Sequence, residues 1–152
     1  MGYSKYGGVK TRVDGILFAS KLEAKYYNHL KRLQADGVVK SIGLQVPFVL
    51  LEPFTDKNGE HVRGIKYIAD FDVVYSDGRR EIVDTKGAMT DVFKIKAKLF
   101  KFKYPDLEFK VIKYVPRLGG FITWQEHQDF KNQQEKNKGR KVKQKHQKKK
   151  KR

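Results

Sequence analysis

The stretch DFDVVYSDGRREIVDTKG, Asp70–Gly87, decides the fold of this chain. Two runs rich in β-branched and apolar residues flank Asp77-Gly78, a dipeptide suited to a tight turn, so the stretch reads as a β-hairpin. The first strand extends upstream through IKYIA to about Ile65. Strand side chains alternate faces, which puts Asp84 and Lys86 on one side of the sheet and Thr85 on the other. Asp70 follows Tyr67, Ile68 and Ala69; Asp84 follows Ile82 and Val83. A carboxylate inside an apolar strand is costly unless it is paired, hydrogen-bonded or metal-bound. Two such carboxylates beside a lysine therefore say more than two carboxylates in a loop.

The alternation of Ile68, Asp70 and Asp72 against Ala69, Phe71 and Val73 implies that one face of the first strand is polar. Asp72 competes with Asp70 because both share that face; Asp70 is preferred as the nearer to the apolar segment. Glu81 falls on the face opposite Asp84 and reads as solvated, and Asp77 belongs to the turn. The chemistry that uses such a cluster is phosphodiester hydrolysis. Mg²⁺ takes a few carboxylates plus water and substrate phosphate, and it polarises the phosphate and acidifies water. A nearby lysine orients that water or stabilises charge on the phosphorane. Glu23 is the candidate third carboxylate. It stands beside an apolar helix face, yet Ser20-Lys-Leu-Glu23 is also a capping box, and the pattern leaves both readings open.

Outward from the hairpin, FASKLEAKYYNHLKRLQADG reads as a helix capped by Ser20 and stopped at Gly37. Leu22, Tyr26, Leu30 and Leu33 line its apolar face. A strand is predicted at about 44–51, and TDKNGEHVRG carries an Asn-Gly turn. Thr90 caps a second helix, DVFKIKAKLFKFKY, ended by Pro105. Phe93, Ala97, Phe100 and Tyr104 share one face, and Lys94, Lys98 and Lys101 another. EFKVIKYV is a further strand, and Thr123 caps a last helix. Residues 1–15 read as extended. This order predicts an α/β fold, one mixed central sheet flanked by helices.

The length of 152 residues fits one domain, and an apolar content of 39 % is enough for a modest core. Of the 34 Lys and Arg, eleven lie between Lys136 and Arg152 with no acid among them, which leaves 23 against 17 acids in residues 1–135. The segment 136–152 has one apolar side chain, Val142, and is predicted to be a disordered basic tail beyond a domain at 1–135. Such a block attracts polyanions; Lys148, Lys149 and Lys150 are its densest cations. About six tail cations on phosphates would steepen the log–log salt slope by about five units. Cysteine is absent and the four histidines are scattered, which argues against thiolate or imidazole metal sites. No apolar run is long enough to span a membrane and the start lacks a signal-peptide core, so a cytoplasmic protein is expected.

Asp70, the spacing of fourteen to Asp84, and the DTK that follows resemble the PD-(D/E)xK nuclease signature, with Ala69 where that signature has proline. KYGGVKTRVDGILFASKLEAKYYNHLK, LQVPFVL, YIADFDVVY, VDTKG and FKIKAKLFKFKYPDLEF together resemble a family of small phage-encoded proteins. That family is catalogued as a domain of unknown function and assigned to this superfamily. The resemblance covers roughly residues 5–115 and implies a restriction-endonuclease-like core of helix, three-stranded meander, helix and strand. It implies that Asp70, Asp84 and Glu23 bind Mg²⁺ or Mn²⁺, with the Thr85 carbonyl as a further ligand, and that Lys86 assists the attacking water. Gln45 would border the site, and Lys94 and Lys98 would meet DNA phosphates.

The expected function is a metal-dependent DNA endonuclease in phage DNA metabolism, acting in the host cytoplasm on junctions, forks or flaps. A lysine-rich, arginine-poor body suits phosphate contacts better than base reading. Junction cutting would favour a homodimer with one site per strand. The alternative is a non-catalytic nucleic-acid binding protein. Two acids on the binding face weigh against it, because carboxylates repel phosphate unless a cation intervenes.

Overall fold

The computed structural model describes residues 8–150, with side chains through residue 140. The chain opens with a hairpin of β1 (Thr11–Val13) and β2 (Ile16–Phe18). Asp14 and Gly15 between them both have positive φ, 49° and 78°, the backbone that a two-residue turn of this hand requires. Part of the segment read as extended is therefore a hairpin.

Helix α1 (Lys21–Ala35) follows, with Ser20 Oγ accepting the Glu23 N–H as its N-cap and Gly37 in the left-handed region past its end. β3 (Val39–Leu51) is longer than the predicted strand by five residues at its start. A small hairpin, β4 (Phe54–Thr55) and β5 (His61–Val62), forms around the Asn-Gly turn. β6 (Ile65–Tyr75) and β7 (Arg80–Thr85) make the predicted hairpin. Then come α2 (Asp91–Lys103), capped by Thr90, and β8 (Glu108–Val115). A short 3-10 turn (Pro116–Leu118) leads to β9 (Gly120–Thr123) and α3 (Trp124–Lys150).

The central sheet has five strands in the order β3-β6-β7-β8-β9. Only β7 and β8 are parallel, and α2 is the crossover that a parallel pair requires. The architecture is thus α/β, a mixed sheet with a helix on each face and a third helix at its end. On the α1 face, Tyr26 and Leu30 pack on Phe71, Val73 and Val83. On the α2 face, Phe93 and Phe100 pack on Phe48, Tyr67 and Ile82.

The alternation expected of β6 does not run through the strand. Tyr67 and Ala69 face α2, whereas Phe71 and Val73, of the same parity, face α1. β3 does the same: Leu44 packs on the α1 side and Val46 on the α2 side. Both strands change face at one level, between the pairs Leu44↔Phe71 and Val46↔Ala69. Gln45 and Asp70 are the residues skipped. Gln45 takes φ 50°, a left-handed backbone that costs a non-glycine residue about 1 kcal/mol or more.

The tail departs from expectation. Residues 136–150 extend α3 where composition predicts disorder. Thr123 and Glu126 cap the helix reciprocally, Glu126 Oε2 accepting the Thr123 N–H at 2.6 Å and Thr123 Oγ1 the Glu126 N–H at 3.2 Å. Once a helix is started, each added residue gains a hydrogen bond, and Lys, Gln, Arg and Glu are good helix formers. Residues 131–140 of the helix are all exposed. The side chains of Lys148, Lys149 and Lys150 lie outside the described residues. Among the described residues no helix is long and apolar enough to cross a membrane.

Phe100 is fully buried, with the rings of Phe48, Tyr67, Tyr104 and Phe109 within 5.6 Å between centroids. Phe100→Ala should cost about 3–5 kcal/mol, read as a fall in the urea midpoint. Truncation after residue 135 should leave that midpoint unchanged, since residues 136–140 are all exposed.

Candidate functional site

The face change in β3 and β6 builds the site. Pairing between β6 and β7 runs only from Val74↔Arg80 to Phe71↔Val83. Beyond it, Thr85 has no backbone acceptor in β6. The Asp70 side chain takes that place, with Oδ2 accepting the Thr85 N–H at 2.8 Å and its hydroxyl at 3.0 Å. Asp70 is thereby fixed beside the end of β7, which carries Asp84, Thr85 and the following Lys86.

Asp84 is 1 % exposed. Its Oδ1 accepts the Tyr67 hydroxyl at 2.9 Å. Its Oδ2 meets the Lys86 ammonium at 2.6 Å, a close ion pair. Burial, and next the neighbouring charge of Asp70, push the Asp84 carboxyl up to about 6, against the pull of Lys86 and Tyr67. Tyr67 is itself buried and held protonated, first by burial and then by the Asp84 charge, so it remains a donor.

A cleft of about 660 Å³ opens beside these groups, between the first half of β6, the end of β7 and the start of α2. Asp70, Asp84 and Lys86 line it, and Lys66 and Lys96 add positive charge. Lys96 Nζ donates to the Lys66 carbonyl at 2.9 Å, which ties α2 to β6 across the cleft. Lys86 also sits over the Phe93 ring, 4.8 Å from its centroid.

The structure separates the two candidate aspartates. Asp72 is engaged by a two-pronged Arg80 pair at 2.9 and 2.6 Å, and Asp70 is the one beside Asp84. Glu81, read as solvated, is buried: it holds Lys110 at 2.6 Å and the Tyr75 hydroxyl at 2.9 Å. A parallel β8 on one side and α1 below cover the face that the hairpin alone would expose.

Glu23 makes its capping box, accepting the Ser20 hydroxyl at 3.1 Å and the Ala19 N–H at 3.3 Å. It does not line the cleft, but it is near enough for the Asp70 charge to add to burial in raising its proton affinity. Among the described residues no three His, Cys, Asp or Glu side chains converge as a metal cage. What Asp70 and Asp84 do fit is a hard ion that keeps most of its waters and takes one or two carboxylates. Gln45 is exposed opposite Asp70 and does not line the cleft. Lys94, Lys98 and Lys101 line a different groove, on the other side of Phe93.

Sequence reasoning missed Tyr67, Lys66 and Lys96. A buried tyrosine needs a partner for its hydroxyl, and that was the available signal for Tyr67. The two lysines become site residues only through the packing of α2.

The model of a family described as a protein of unknown function, DUF1064, matches residues 3–120. The chain belongs to this family. The DUF1064 region contains all three hairpins, α1, α2 and every residue of the cleft; α3 lies beyond it. No curated protein matches the chain.

The site's electrostatics predict an inverted pH response. Folding raises the Asp84 carboxyl from 3.8 to about 6, so the folded state binds more protons than the unfolded chain in that window. Its contribution to stability is therefore lost as pH rises through the window. A shift of this size corresponds to roughly 3 kcal/mol as an upper value. In EDTA, Asp84→Asn should melt higher than the parent protein at pH 7.5 and equal it near pH 4. Equal melting at both pH values would show that the ionised carboxylate costs the fold nothing.

Proposed function

We propose that the chain is a metal-dependent DNA endonuclease of the PD-(D/E)xK type, acting on branched or structured DNA. The observation that carries this reading is the pair Asp70 and Asp84. Two carboxylates are held together in a mostly buried place, at an energetic cost, where a fold built for stability alone would put apolar residues. The order Asp70, Asp84, Lys86 matches the superfamily signature.

The chemistry a bound divalent cation supplies at such a place is neutralisation of phosphate charge and acidification of water. The chain's own residues set the geometry. Thr85 fixes Asp70 by two hydrogen bonds, which leaves Oδ1 for a ligand. Tyr67 fixes Asp84 through Oδ1, and Lys86 covers Oδ2 until a substrate arrives. Lys86 is then placed to hold a phosphate oxygen or the attacking water, and Lys66 and Lys96 draw the backbone into the cleft. Glu23 adds negative charge behind Asp70 from α1 and keeps the helix capped. The lysine surplus positions DNA by its phosphates, which favours selection by shape over selection by sequence. Two copies, one per strand, suit a four-way junction.

Labelled four-way junction, fork, duplex and single-stranded DNA, each with Mg²⁺, Mn²⁺ or EDTA, test the proposal. Cutting should need the cation and favour branched substrates. It should vanish in Asp84→Ala and fall about 10²-fold or more in Lys86→Ala. Binding without cutting in either metal would replace the nuclease with a non-catalytic binding protein. Truncation after residue 135 should flatten the salt dependence of binding by several log units per log salt while leaving cleavage at saturation intact.

A further inference from the structure

A second groove, of about 460 Å³, runs between α2, β8 and the first turn of α3. Phe93 and Phe109, with ring centroids 6.2 Å apart, form part of its floor. Trp124 stands on the α3 side, and Lys98 and Lys101 on the α2 side. Neither of these lysines has an ion-pair partner among the described residues. Lys113 lies over the Trp124 ring, 4.8 Å from its centroid. The carboxylate at the rim, Glu108, lies 3.4 Å from Lys110, which Glu81 holds more closely at 2.6 Å.

Aromatic rings beside unpaired cations along a groove suit one class of partner. Unpaired bases offer open π-faces to the rings, and their phosphates meet the lysines. In a duplex those faces are stacked on one another and the apolar floor goes unused. Phe93 lines both this groove and the cleft of Asp84, so the two adjoin.

We infer that this groove binds a single strand of DNA, with a base stacked against Trp124 and phosphates on Lys98 and Lys101. A strand lying there reaches the carboxylate cleft past Phe93, which would make the boundary between unpaired and paired DNA the substrate; this last step rests on the nuclease reading above.

Trp124 is the only tryptophan in the chain, so its fluorescence reports the groove directly. The experiment titrates Asp84→Asn protein with a fifteen-residue oligothymidylate in EDTA, where no cleavage occurs, and repeats it with a blunt duplex. The single strand should quench Trp124 emission, and the duplex should not. Lys98→Glu with Lys101→Glu should weaken the quenching transition at least about tenfold with circular dichroism unchanged, and Trp124→Ala should weaken binding, followed by anisotropy of a labelled strand, about tenfold. Absent quenching, equal quenching by the duplex, or quenching indifferent to the lysine changes would each overturn the inference. A protein that cuts branched DNA without quenching loses only this groove; one that quenches but never cuts loses only the nuclease.

Discussion

The hydrogen bonds from Thr85 to Asp70 are the interaction on which the rest of the site depends. A backbone N–H at the end of β7 has lost its acceptor because β6 changes face one residue earlier. An unpaired buried N–H is expensive, and the Asp70 carboxylate repairs the loss. In doing so it is carried to the side of Asp84 and cannot leave without breaking the end of the sheet. The face change also divides the labour of β6. Its first half packs on α2 and supplies Tyr67 to the site; its second half packs on α1 and holds the core.

The charges around this point are arranged unequally. Asp72 and Glu81 have cations that answer them fully, in Arg80 and Lys110. Asp84 has Lys86, Asp70 has only the Thr85 hydrogen bonds, and the two carboxylates oppose each other. A buried carboxylate beside a half-buried one, with one counterion between them, is short by one positive charge, and the open side of the deficit is the cleft. The polar surroundings of Asp72 and Glu81 stabilise structure, whereas those of Asp84 leave an unmet demand.

Much of this was legible in the residues. Ser20, Gly37, Thr90 and Thr123 marked helix ends because capping is a local contest between side chain and backbone. The Asp77-Gly78 turn fixed the hairpin for the same reason. Asp70, Asp84 and Lys86 stood out as charges in apolar strands, and the structure places them together. What stayed hidden depends on contacts distant in the chain. Glu81 looked solvated because its partner, Lys110, arrives from a strand laid down after α2. The face change at Gln45 and Asp70 has no signature in either strand alone, since each keeps an apparently regular alternation on both sides of the skipped residue. The length of α3 was misread because its composition lacks a core-facing stripe; helical propensity decides where burial is silent.

That last helix sets a distance. Twenty-seven residues span about 40 Å, against a radius of gyration of about 14 Å for a compact body of some 120 residues. Residues 131–140 of α3 are all exposed, so Lys131, Lys136, Lys138 and Arg140 stand clear of the sheet. At physiological salt a charge is felt over about 8 Å, so the target size a polyanion meets in diffusion is set by the rod and not by the globule. On the nuclease reading proposed above, encounter frequency and turnover at the cleft become separate properties, one tuned by the length of α3 and the other by the few residues around Asp84.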